Sequence, residues 1–172
     1  MKMVRRLAIF VLILIGFGFV FQSCKIYSFS GANLSREVTT FTVYYFPNRA
    51  KLVNPTLSQV FTENLRDKIQ RQTSLNELTE NGDLEYEGQI TGYDIRPMSV
   101  QKEDLAALNR LTISVNVKFT NNKEPDKNFE KSFTAFEDFD SSQSLSDVED
   151  DLSLEIIKKL NEDIFNATVA SW

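Results

Sequence analysis

Apolar residues recur along this chain in two rhythms, one of period two and one near four. Val38 to Phe46 (VTTFTVYYF) is β-branched and aromatic, the composition of a strand. Apolar residues occupy both faces near its end, as in a strand covered on both sides, and Pro47-Asn48-Arg49 breaks it. Asn54 then offers an N-cap, and Pro55 suits the first helical position, where a missing N–H is harmless. Leu57, Val60, Phe61, Leu65 and Ile69 share one helical face, with Glu63, Arg66, Asp67 and Arg71 opposite. This amphipathic helix is expected to end near 72–74. After the turn Asn81-Gly82-Asp83, Leu84, Tyr86 and Ile90 alternate with Glu85, Glu87 and Gln89, which predicts a half-buried strand over 84–95. Gly88 and Gly92 mark a bulge or a close backbone approach. Past Gly92 the apolar face passes to Tyr93 and Ile95, as one inserted residue would cause.

Residues 96–107 read as a longer connection. Leu111, Ile113, Val115, Val117 and Phe119 then alternate with Thr112, Ser114, Asn116, Lys118 and Thr120, the clearest strand of the chain. Asn121 to Asp126 forms a hairpin loop, and Phe129 to Phe136 is the partner strand. Ser146-Asp147-Val148-Glu149 has the form of a capping box. Acids at 147, 149, 150 and 151 suit the positive end of the helix dipole. Val148, Leu152, Ile156, Leu160 and Ile164, joined by Ile157 and Phe165, carry this second helix toward Trp172. The order is β-α-β-β-β-α. The fold class is α+β: a two-layer sandwich, a four-stranded mixed sheet with both helices on one face. The first β-α-β unit gives parallel strands through a right-handed crossover, and the later strands follow as antiparallel hairpins.

The N-terminus follows a third pattern. Lys2, Arg5 and Arg6 precede an unbroken apolar run from Leu7 to Phe21, fifteen residues long. A spanning helix needs about 20 residues, whereas fifteen matches the apolar region of a secretory signal. Ser23 then precedes Cys24, the only cysteine of the 172 residues. Residues 1–23 therefore read as a cleaved lipoprotein signal peptide, 24–35 as a lipidated tether and 36–172 as a single domain. An uncleaved N-terminal anchor and a buried free cysteine are the competing readings, and the second conflicts with the apolar run just before it. Phe21 and Gln22 depart from the leucine and small residue usual at those positions. An acylated Cys24 would carry two or three chains, and each buried CH₂ contributes about 0.8 kcal/mol to membrane binding. No aspartate follows Cys24, where Lys25 and Ile26 stand instead. By analogy with other lipoproteins, this places the protein in the outer membrane, facing the periplasm.

The net charge is −5, unevenly spread: 25–75 hold seven basic and three acidic residues, and 76–172 hold nine basic and 21 acidic. Nucleic-acid binding, which needs a basic surface, is disfavoured. The basic N-terminal third either meets anionic head groups or complements the acidic remainder within the fold. The chain has no histidine, so Ser-His-Asp, Cys-His and histidine metal sites are excluded. No glycine-rich phosphate loop is present. Two acid pairs remain. Asp138 with Asp140 has the spacing of a carboxylate pair for glycoside hydrolysis or calcium, or of a polar turn leading into a helix cap. Asp150 with Asp151 belongs to the first turn of the second helix. No metal or cofactor is expected, apart from covalent lipid on Cys24.

Five segments carry a resemblance: IYSFSGA (26–32), YFPNRAKLVNPTLSQVFTENLRDKI (45–69), LEYEGQITGYDI (84–95), ALNRLTISVNVKF (107–119) and FDSSQSLSDVEDDL (139–152). Together they resemble the LptE-like lipopolysaccharide-assembly lipoproteins of Bacteroidota, over essentially the whole chain after Cys24. The resemblance implies a non-enzymatic role, as plug and assembly partner of an LptD-type outer-membrane β-barrel. It also implies two helices on a four-stranded sheet. Thr112, Ser114, Asn116, Lys118 and Thr120 would then form the polar face turned to a polar barrel lumen. Arg49, Lys51, Arg66 and Arg71 would be contacts for anionic lipopolysaccharide, or ordinary solvated charges. Two alternatives compete. One is a periplasm-facing lipid- or glycan-binding lipoprotein without an obligate barrel, with the 93–108 connection as its lid. The other is a cell-wall glycan hydrolase acting through Asp138 and Asp140.

Overall fold

A computed structural model describes residues 34–52, 54–98 and 107–170. The elements are β1 (Thr40–Val43), α1 (Leu57–Gln72), β2 (Asn76–Glu77), β3 (Leu84–Met98), β4 (Leu108–Asn121), β5 (Phe129–Asp140) and α2 (Leu145–Phe165), with a π-helical turn over Asn166–Ala170. They form one mixed sheet of order β2-β1-β3-β4-β5. β1 runs parallel to β3, with Phe41 opposite Leu84 and Val43 opposite Tyr86. β3, β4 and β5 are antiparallel neighbours, with Leu84 opposite Asn121 and Phe119 opposite Phe129. The α+β sandwich with a parallel first crossover is the architecture that the alternation predicts.

The sheet has one strand more than expected. β2 is two residues long and pairs parallel with β1 at the edge. Backbone bonds hold it: Asn76 N–H donates to Thr39 O at 2.9 Å, and Leu78 N–H to Phe41 O at 2.8 Å. β1 is shorter than the apolar run 38–46. Beyond Val43 the chain follows β3 irregularly, with Tyr44 N–H on Tyr86 O at 3.0 Å and Arg49 N–H on Ile90 O at 2.8 Å. Its second face is not covered, and Tyr45 is 62 % exposed.

Both helices begin differently from their sequence signals. Asn54 stands two residues before the N-cap: its Oδ1 accepts from the Thr56 N–H at 3.0 Å and from the Thr56 hydroxyl at 2.9 Å. Thr56 is the N-cap, and Pro55 lies in the turn ahead. Leu57, Phe61, Leu65 and Ile69 are buried as predicted. α2 starts at Leu145 after Ser144, and the expected capping box at Ser146 does not form. Glu149 instead turns inward, accepting from the Tyr93 hydroxyl at 2.6 Å and from Asn54 Nδ2 at 3.1 Å. With Lys68 paired to Glu162 near the other ends, the helices lie side by side and parallel.

β3 carries the predicted bulge. Pairing with β4 slips between Ile90 and Gly92, leaving Thr91 as the extra residue. The buried face accordingly changes from Leu84, Tyr86 and Ile90 to Tyr93. Gly88 is needed because a Cβ there would stand 2.1 Å from the Asn116 carbonyl oxygen and 2.6 Å from the Phe46 ring. The core sits between sheet and helices, built on Phe41, Phe46, Phe61, Tyr86 and Phe119. Phe46 stacks obliquely on Phe61 at 5.0 Å, and the buried Tyr86 hydroxyl donates to Thr168 Oγ1 at 3.1 Å.

Candidate interaction surface

The structure brings the five predicted polar positions together. Thr112, Ser114, Asn116, Lys118 and Thr120 alternate along β4 with the buried Leu111, Ile113, Val115, Val117 and Phe119. They line the sheet face away from the helices. Neighbouring strands extend this surface: Glu87 faces Lys118, Gln89 faces Asn116, and Thr134 faces Ser114. Ser114 Oγ and Thr134 Oγ1 lie 2.9 Å apart, and Lys118 Nζ is 2.8 Å from Glu87. That pairing raises the Lys118 pKa above its ordinary value. These cross-strand bonds fix rotamers on an otherwise solvated sheet face.

The same face continues past the predicted strand ends. β3 reaches Met98, β4 begins at Leu108 and β5 runs to Asp140. Residues 93–98 and 108 of the expected 93–108 lid are therefore strand, and residues 99–106 lie outside the described residues. At this end Arg110 grips Asp138 with two bonds, Nε to Oδ1 at 2.7 Å and Nη2 to Oδ2 at 2.8 Å. Its guanidinium also stacks over the Phe136 ring, 3.6 Å from the centroid. Phe136 is 43 % exposed on this face, and Met98, 36 % exposed, is a second apolar side chain at the same end. This Arg110–Phe136–Asp138 cluster escaped the sequence reading. The available signal was Arg110 and Asp138 continuing the two-residue alternation beyond Leu111 and Phe136.

The acid pair does not form a catalytic couple. Arg110 holds the Asp138 carboxyl below its usual range. Asp140 accepts instead from the Ser142 hydroxyl at 2.6 Å and backbone N–H at 2.8 Å, which lowers its pKa as well. A glycosidase pair needs one carboxyl with a raised pKa to act as the acid, and here both are lowered. Asp150 and Asp151 are exposed on α2. Among the described residues no cluster of three or more metal-ligating side chains occurs, and no helix is long and apolar enough to cross a membrane.

The four basic candidates are dispersed. Arg49 and Lys51 are exposed in the loop leading to α1. Arg66 lies on α1, 2.6 Å from Glu77, and Arg71 pairs with Asp67 at 2.8 Å. Half of the set is thus ion-paired within the fold; Arg66–Glu77, like Lys68–Glu162, joins the basic third to the acidic remainder, whereas Arg71–Asp67 stays within the basic third. Cys24 and the signal segment lie outside the described residues.

A family model described as lipopolysaccharide-assembly, LptE, matches residues 38–168. No curated protein matches the chain. Solved structures with a similar fold include the hypothetical protein CT253 from Chlamydia trachomatis. That structure has a TM-score of 0.52 at 10 % identity, over 74 % of this chain and 93 % of the other. A minor lipoprotein from Acinetobacter baumannii gives a TM-score of 0.48 at 13 % identity, over 74 % and 90 % of the two chains. The PelC dodecamer protein from Paraburkholderia phytofirmans gives 0.47 at 10 % identity, over 81 % and 95 %.

Proposed function

This chain belongs to the LptE lipopolysaccharide-assembly family, and from that premise we propose that it is the lipid-anchored plug and assembly partner of an LptD-type β-barrel. The anchor is an acylated Cys24, and the domain faces the periplasm from the outer membrane. The observation that carries this reading is the continuous outer sheet face from Thr120 to Arg110. It is rigid, because its reverse side forms the core. It is also rich in donors and acceptors, as a surface for a polar, water-filled barrel interior should be. A single aromatic, Phe136, stands on it with an arginine clamped beside it, the residue types that anchor interfaces. The role requires no chemistry from the protein, in keeping with a non-enzymatic family and with carboxylates held ionised.

Anchor and barrel lie in one membrane, so acylation raises their effective mutual concentration without adding a contact. Lipopolysaccharide itself would meet Arg49 and Lys51, the exposed members of the basic set; neutralising both should weaken lipopolysaccharide binding if they serve as its contacts. Extraction in mild detergent with a tag after Trp172 should recover a barrel of the LptD class in stoichiometric amount. Recovery of the chain alone, under conditions that preserve outer-membrane complexes, would favour a lipid- or glycan-binding lipoprotein acting by itself. Cys24→Ala should release the protein from the outer membrane in cells lacking the barrel.

A further inference from the structure

The two helices leave a groove between them that no strand lines. Near their starts it is apolar, a cavity of about 320 Å³ walled by Leu57, Val60, Leu154 and Ile157, with Asn54 and Asp150 at the rim. Near their ends it is polar, a cavity of about 270 Å³ lined by Asn64, Lys68, Arg71, Gln72 and Asn161 among others. Asn161 forms part of this floor. It is 2 % exposed, and neither its Oδ1 nor its Nδ2 has a hydrogen-bond partner. A buried amide left unpaired keeps its desolvation cost uncompensated, so the site calls for a group that donates and accepts at once. A peptide backbone or another side-chain amide does both.

The chain itself arrives at the polar end. Arg71 and Gln72 also line the cleft of about 700 Å³ that contains Leu34 and Ser35. Residues 25–33, KIYSFSGAN, precede Leu34. Extended at about 3.3 Å per residue, they place Gly31 about 10 Å, Phe29 about 16 Å and Tyr27 about 23 Å from Leu34. Residues 27, 29, 31 and 33 share one face of such a chain. On α1, at about 1.5 Å per residue from Arg71, Asn64 stands about 10 Å, Val60 about 16 Å and Leu57 about 21 Å away. The order of chemistry matches step for step: amide and glycine by the polar floor, then two aromatics by the apolar walls. At the same spacing Lys25 would stand about 30 Å from Leu34, toward the start of α2, where Asp147, Asp150 and Asp151 lie.

We propose that residues 25–33 dock along this interhelical groove in extended form, with Asn33 and Gly31 over Asn161, Phe29 and Tyr27 over Val60 and Leu57, and Lys25 beside Asp150. The glycine lets the backbone approach the floor closely, and Asn33 supplies the donor and acceptor that Asn161 lacks. The docked segment returns Cys24 to the end where both helices begin. There the loop of Arg49, Lys51 and the 51 % exposed Leu52 would face the lipid surface. This orienting consequence rests on acylation of Cys24; the docking does not.

Cysteine pairs in the full chain test it. Tyr27→Cys with Leu154→Cys should oxidise at least ~10-fold faster than Tyr27→Cys with Gln72→Cys, because docking raises one local concentration and lowers the other. A free tether favours the second pair, since Gln72 lies nearer its root. Adding Phe29→Asp, which lies outside the domain and leaves its core intact, should bring the first pair down to the rate of the second. Equal rates, a faster second pair, or indifference to Phe29→Asp would overturn the proposal. The mass of Cys24 in the same preparations reports acylation separately. An unmodified Cys24 together with fast cross-linking would remove the anchoring reading and leave the docking in place.

Discussion

Arg110 and Asp138 face each other across β4 and β5 in a two-bond clamp, with Nε to Oδ1 at 2.7 Å and Nη2 to Oδ2 at 2.8 Å. The clamp also presses the guanidinium onto the Phe136 ring. The pair is solvent-exposed, so its value to the fold is small; in the proposed complex it would be a preformed contact. Phe136→Ser should leave the thermal midpoint within a degree or two and lower barrel recovery at least ~10-fold, as truncating an aromatic interface anchor does. A large drop in midpoint with unchanged recovery would show Phe136 to be structural.

Asp83 ties the turn before β3 to the entry of β1. Its Oδ2 accepts from the N–H of Thr39 at 2.8 Å and of Thr40 at 3.0 Å, and Lys123 lies 3.1 Å from Oδ1. Burial alone would raise its pKa, but the Thr39 N–H, Lys123 and the two threonine hydroxyls outweigh it and hold the carboxyl well below its ordinary 3.8. A depressed folded pKa stabilises the fold above the unfolded value. That contribution should be complete above about pH 5 and decline as the pH falls through 4 and lower. Asp83→Asn should cost about 1–3 kcal/mol near neutral pH and flatten the acid limb of a stability-against-pH curve.

Gly88 has no room for a side chain. Gly88→Ala sets a Cβ against the Asn116 carbonyl and the Phe46 ring, so β3 and β4 must part or Phe46 must move. The expected loss is about 1–3 kcal/mol, read from the denaturant midpoint.

Tyr86→Phe removes one buried hydrogen bond and little else. Thr168 Oγ1 keeps its bond to the Ile164 carbonyl at 2.8 Å. The cost should be about 0.5–1.5 kcal/mol by equilibrium unfolding, with no change in spectra of the folded state.

Much of this fold is legible in its alternation. Leu111 to Phe119 reads as a strand with one buried face because five apolar residues mark every second position. The bulge at Thr91 reads through because it moves the apolar face from Ile90 to Tyr93. β2 leaves no trace, since Asn76 and Glu77 bury no side chain and are held by backbone bonds and one ion pair from Glu77 to Arg66. The capping box misleads because Glu149 has a better partner in Tyr93, 56 residues away, than the backbone beside it. The Arg110 cluster hides for a related reason. Phe136 puts an aromatic on the polar face of β5, so the pattern breaks there although the strand continues to Asp140. The outward row on β4 was visible in the sequence, but its dominant contact depends on a cross-strand register that no local pattern contains.

The central claim is that the outer sheet face is turned to a barrel wall. A photo-reactive phenylalanine analogue at Asn116, mid-face on β4, compared with one at Gln70, exposed on α1, tests it in intact cells. Irradiation should join the Asn116 variant to a protein of the LptD class and leave the Gln70 variant largely unjoined. Adducts from Gln70 alone, or none from Asn116 when the tagged chain still retains the barrel, would contradict it.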